Sequence, residues 1–179
     1  MGINEIIGHV IGGIGVSLTF VSYQMHDKRK LIFIQTLATL LMSLQYILIG
    51  AISGCFLNIV CIVRNVFFYN RDLGKKFFSY GFYPILFAVL ITFVSLFSWE
   101  GAHTLFLTSA LAANTVIMGY SSPQTLRKSV IVTCSMIIVY NVIEHSYSGI
   151  VNESVSIVSA LIGIVLYSRV KSKTDSKYN

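Results

Sequence analysis

In a chain this apolar, the residues able to do chemistry are the few polar ones that interrupt its apolar runs. Asn58 and Glu153 are the sharpest of these. A carboxylate or carboxamide in hydrocarbon is costly unless it faces protein, water or a bound solute. The pair therefore suggests solute recognition, with Glu153 supplying an acceptor charge and Asn58 both donating and accepting. Gln45 and Asn141 add two carboxamides in the same half of the chain's apolar segments. The plainer alternative is that Glu153 snorkels to an interface and Asn58 ties its helix to a neighbour.

Asn141, Glu144 and His145 follow at i, i+3 and i+4, one face of a helix. A His beside a Glu could relay protons near neutral pH; a wet helix end would accommodate both equally. Arg64, next to Asn65, could hold an anionic group or close an inner gate. It could also snorkel, or pair with Asp27 or Asp72. His9 and His103 lack metal-ligand spacing. Cys55, Cys61 and Cys134 lie in or beside apolar runs and read as small core residues, so no metal and no disulfide framework is expected. No phosphate loop, nucleophile elbow, HExxH or CxxC occurs, so no enzyme and no cofactor is expected.

The elements that must position these residues are membrane spans. Hydrophobic residues make up 55% of the chain, charged residues only 11%, and mean hydropathy is +0.75. Soluble domains carry about 25% charged residues. At roughly 20 residues per span the chain is long enough to cross a bilayer about seven times. The spans are drawn at Glu5–Gln24 (TM1), Leu31–Ile49 (TM2), Ile52–Tyr69 (TM3), Tyr80–Ser98 (TM4), Ala102–Tyr120 (TM5), Val130–His145 (TM6) and Ile150–Ser168 (TM7). The N-terminus has no basic stretch or small-residue cleavage signal before Lys28, so TM1 reads as a retained span.

Basic residues alternate strictly between the connections. Lys28, Arg29 and Lys30 follow TM1, Arg71, Lys75 and Lys76 follow TM3, Arg127 and Lys128 follow TM5, and Arg169, Lys171, Lys173 and Lys177 follow TM7. The other connections carry no Lys or Arg, which places the N-terminus outside and the C-terminus in the cytoplasm. This placement explains the net charge of +6 without nucleic acid. The expected partners are a small solute and membrane lipid, and a homo-oligomer is left open. Tyr23, Tyr46, Tyr69, Tyr80, Tyr120, Tyr147 and Tyr167 fall near span ends and read, with Trp99, as an aromatic belt.

The chain also repeats itself. Ser121–Ser129 is a polar, basic break between apolar runs, and Ser22–Lys30 is its echo. In each, a Gln (Gln24, Gln124) precedes the basic cluster. Residues 1–70 and 102–169 thus read as two three-helix repeats in parallel, with 71–101 as an inverting linker helix and 170–179 as a cytoplasmic tail. Aligning Gly54 with Gly149 sets Asn58 on Glu153 and Tyr46 on Asn141, so the pair would face across a pseudo-two-fold axis. Gln24 and Gln124 should approach each other at the inner ends of TM1 and TM5, capping freed carbonyls.

Ser122-Pro123-Gln124 with Arg127-Lys128-Ser129, in a 3+1+3 plan, resembles the PQ-loop/SWEET superfamily. Within it, the chain more closely resembles the bacterial inner-membrane YgjV-type (Imp) family. That resemblance rests on Tyr23-Gln24 with Asp27 and Lys30, Gln45-Tyr46 before Gly50, Arg64-Asn65, Arg127-Lys128, Asn141, Glu153 and Arg169. It implies an all-α, seven-helix bundle in the bacterial inner membrane, with Gln24, Pro123, Gln124 and Arg64 at a cytoplasmic loop or gate. The chain departs from the superfamily in having Tyr-Gln where the first Pro-Gln is expected. It also has no proline within TM1, TM2, TM5 or TM6, where sugar carriers of this kind hinge. Two functions follow: a transporter or facilitator of a small polar metabolite, or a non-transporting receptor, assembly factor or scaffold.

Overall fold

The computed structural model describes residues 3–50, 52–97, 99, 101–143 and 147–175. Among them are seven α-helices: α1 (Ile3–Gln24), α2 (Lys28–Leu48), α3 (Ile52–Asp72), α4 (Tyr83–Phe97), α5 (Thr104–Tyr120), α6 (Pro123–Ile143) and α7 (Tyr147–Asp175). A short 3-10 turn, Lys76–Ser79, precedes α4. Among the described residues four segments are long and apolar enough to cross a membrane: Ile6–Gln24, Lys28–Leu48, Pro123–Ile143 and Gly149–Ser168. The helices α4 and α5 are apolar but shorter.

Local sequence accounts for the boundaries. Asp27 caps α2, its carboxylate accepting the Arg29 N–H at 2.9 Å. Gly50 and Gly74, both at φ +77°, sit just beyond α2 and α3, where the chain leaves each helix through the left-handed region. Ser122-Pro123 begins α6: the Ser122 hydroxyl accepts the Thr125 N–H at 3.3 Å, and proline occupies the first helical position, where its missing N–H costs nothing. The expected basic break at Ser121–Ser129 is therefore mostly helix, and TM6 begins seven residues earlier than the hydropathy suggested. The helix α7 runs on to Asp175, through most of the expected tail. Glu144 and His145 lie outside the described residues.

Each helix packs on the next in the chain, and α7 returns to pack on α1, closing a ring. Neighbours are antiparallel: Ser43 meets Cys55 while Lys28 meets Asp72 across α2 and α3. Helices of the same parity run parallel, as Arg64–Thr115 and Arg71–Gly119 show for α3 and α5.

The interior mixes apolar clusters, such as Leu31, Ile32, Phe68 and Leu126, with buried polar side chains. Ser22, Asn65, Thr115, Arg127 and Ser159 are buried, while Ile85, Val89, Phe93 and Phe97 of α4 face outward. An apolar exterior of this extent is a surface made for lipid. Glycine permits a close crossing of α4 and α5: a Cβ on Gly119 of α5 would lie 2.3 Å from Pro84 Cγ and 3.3 Å from Phe68 Cζ. Gly119→Ala is expected to lower the unfolding temperature in detergent by overpacking, at a cost of about 1–3 kcal/mol. Gly13→Ala, with nothing within 4 Å, should instead be neutral or gain up to about 1 kcal/mol. Paired thermal melts check the opposite signs.

Candidate functional site

Two polar layers occupy the interior. The first closes the end of the ring that carries the basic residues. Arg127, one turn into α6, is fully buried. Its Nε donates to Tyr23 O at 2.7 Å, its Nη1 to Gln124 Oε1 at 2.9 Å and its Nη2 to Met25 O. One guanidinium thus caps the end of α1 from α6. Gly163 of α7 makes room for it, since a Cβ there would lie 2.8 Å from Arg127 Nε. The Tyr167 ring lies 5.9 Å from the guanidinium, close enough for a cation–π contact.

Gln24 and Gln124 form no hydrogen bond with each other, and it is Arg127 that joins Gln124 to the end of α1. Gln24 Nε2 donates to Ser159 O at 3.0 Å and Ser159 Oγ at 2.9 Å, while Gln124 Nε2 donates to Ile164 O at 3.4 Å. Both glutamines bind α7, which lies between α1 and α6, and the capping of α1 falls to Arg127. Pro123 starts a helix and lines no loop.

On the other side of the ring, Arg64 of α3 is buried and makes no ion pair with Asp27 or Asp72. It donates through Nε and Nη2 to Asn65 Oδ1, at 3.1 and 2.9 Å, and through Nη1 to Thr115 Oγ1 at 2.7 Å. Asp72 pairs with Lys28 at 3.8 Å, and Asp27 with Arg29 at 3.9 Å. Arg64 therefore holds α3 to α5 within the bundle.

The second layer is centred on Glu153, about two turns from the start of α7. Asn152 Nδ2 donates to its Oε1 at 3.1 Å, and the Cys134 thiol of α6 is directed at the same carboxyl. The Tyr23 and Tyr46 hydroxyls are within electrostatic reach. Tyr23 also interacts with Gln35 and senses Arg64, so it links the two layers. Glu153 is half-buried. Among the described residues no cation pairs with it: Lys28 is engaged with Asp72 and Arg29 with Asp27.

Asn58 of α3 has a buried Nδ2 with no hydrogen-bond partner among the described residues. A carboxamide donor in that state is poised for an acceptor. Asn141 and Gln45 are placed differently. Asn141 is buried against Gly149, whose added Cβ would lie 2.6 Å from its amide, and Gln45 covers Gly12 of α1. Both serve close helix packing, one at α6–α7 and one at α1–α2.

Sequence reading missed Arg127, Tyr23, Tyr46 and Cys134 as site residues. Arg127 was recoverable from Ser122-Pro123, which starts a helix and carries the arginine one turn inside it. Tyr23 was assigned to the aromatic belt by its position at a span end, but it is buried. No periodicity signal distinguishes Cys134 from a core thiol.

No curated protein and no solved structure matches the chain. Residues 6–171 match the family model Imp-YgjV, described as a bacterial inner membrane protein. That match reaches into all seven helices and agrees with their apolar exterior: the chain belongs to the Imp-YgjV family of bacterial inner membrane proteins.

Proposed function

We propose that this protein is a seven-span carrier or facilitator for a small polar solute, which binds between Glu153 and Asn58. The observation that carries it is Glu153 itself: a carboxyl inside the helix ring, without a counter-ion among the described residues, met by Asn152, Cys134 and two tyrosines. An uncompensated carboxyl in a membrane interior is expensive, and such residues mark solute or ion paths. Asn58, with its unpartnered amide, supplies a complementary donor from α3. The Arg127 and Arg64 networks act as the closed gate beneath that site, and the opposite end is the route of entry. In this proposal α3, α4 and α5 also cross the membrane, and the helices form two parallel triplets around α4, as in the PQ-loop/SWEET superfamily. Alternation of the basic connections supports this topology, with the basic end in the cytoplasm.

The test is uptake into proteoliposomes over a panel of amino acids, amines, sugars and organic acids, with topology read by cysteine labelling. Uptake of at least one class is expected, with Lys75→Cys and Lys76→Cys labelled only from the cytoplasmic side. No uptake of any class together with solute-independent stability would favour a scaffold or receptor instead.

A further inference from the structure

The first turns of α2 and the last turns of α3 enclose a groove of about 480 Å³ at the basic end. Its walls are apolar: Phe33 and Ile34 from α2, Tyr69 and Leu73 from α3. Phe33 and Tyr69 hold their rings 6.1 Å apart along it. Its rim is basic, with Arg29 and Lys30 exposed at the mouth. Phe33 follows Arg29 by four residues, and Ile34 follows Lys30 by four, so each apolar wall residue lies one turn, about 6 Å, deeper than a cation.

The charges at the mouth are unevenly matched. Lys28 is neutralised by Asp72 at 3.8 Å. Asp27, the acidic residue at the groove, is committed to capping α2 and to Arg29 at 3.9 Å. Lys30 has no acidic partner among the described residues, and the rest of the Arg29 guanidinium is free to bind. One positive charge thus remains over an apolar trough open to the surrounding lipid.

We propose that this groove is a binding site for an anionic phospholipid of the leaflet that borders the basic loops. The headgroup phosphate sits between Lys30 and Arg29, and an acyl chain lies along Phe33, Ile34 and Leu73. A single phosphate matches the single unmatched charge. The apolar walls select a lipid over a soluble anion, because a free phosphate gains nothing from Phe33 or Leu73. The site would anchor α2 to α3 at the end where the Arg127 gate closes, whatever solute the protein carries.

The experiment is a titration of the detergent-purified full chain with phosphatidylglycerol, phosphatidylcholine and inorganic phosphate, read by native mass spectrometry. Wild type should retain phosphatidylglycerol well above phosphatidylcholine. The double variant Arg29→Gln/Lys30→Gln should lose that retention by roughly ten- to thirty-fold, from about 1 kcal/mol per basic residue. Lys75→Gln/Lys76→Gln, an equal charge change at exposed residues outside the groove lining, should leave it within about two-fold. Phe33→Ser should weaken phosphatidylglycerol without creating any preference for phosphate. Equal loss in both double variants, undiminished retention in Arg29→Gln/Lys30→Gln, or displacement of the lipid by millimolar inorganic phosphate would each overturn the assignment. Thermal melts of the variants separate a lost site from a lost fold, and an unfolded Arg29→Gln/Lys30→Gln protein is replaced by the single Lys30→Gln variant under the same criteria.

Discussion

Arg127→Met should destabilise the protein by about 2–4 kcal/mol, the largest loss expected from any single charge removal in the chain. Methionine fills similar volume but leaves the carbonyls of Tyr23 and Met25 without their donor, and each buried unsatisfied group costs about 1–3 kcal/mol. It also frees Gln124 Oε1 and removes the cation beside the Tyr167 ring. Arg127→Lys should recover only part of the loss. An ammonium is a compact donor and cannot reach α1 and Gln124 at once in the way a planar guanidinium does. Lys128→Met, one residue on and exposed, serves as the control and should stay within about 0.5 kcal/mol. Unfolding in a fixed detergent, followed by tryptophan emission from Trp99 or by helicity, decides the matter. Equal melting of Arg127→Met and Lys128→Met would show that the buried guanidinium does not hold α1 to α6.

The same residue shows what the sequence could and could not disclose. Helix count and the apolar character of the helices followed from composition and from the alternation of apolar runs with basic connections. Those signals are additive over twenty-residue windows and survive local error. Arg127 did not follow, because hydropathy treats a charge as an interruption of a span and pushes the boundary past it. The competing signal was local: a serine that caps and a proline that starts a helix place that arginine inside the bundle. The packing of Gln45 and Asn141 was hidden for a related reason. Polar residues at matched depths look alike in one dimension, but a glycine on the facing helix, Gly12 or Gly149, turns each into a packing element. Asn58 and Glu153 have no such glycine opposite them among the close approaches around glycines, and their amide and carboxyl retain chemistry to offer.

Glu153→Gln is expected to reduce solute uptake by roughly ten- to a hundred-fold while leaving the unfolding temperature nearly unchanged. A hydrogen bond to a charged group is worth about 1.5–3 kcal/mol, which sets that range. The glutamine keeps the shape and can still accept from Asn152, so the helices have little reason to move. Removing an unpaired carboxyl from the interior is itself often neutral or stabilising, which makes a melting loss the signature of a purely structural residue. Asn58→Leu extends the argument to the other wall. Its Nδ2 has no partner among the described residues, so leucine should hold or raise stability. Solute binding should nevertheless weaken by about 1–3 kcal/mol, since the solute's acceptor would then lack its donor. The double variant discriminates further: two residues touching one solute should be non-additive in binding, while residues serving separate helix contacts should add. Uptake and binding equal to wild type in both single variants, or losses in uptake that track losses in melting temperature, would remove Glu153 and Asn58 from the site.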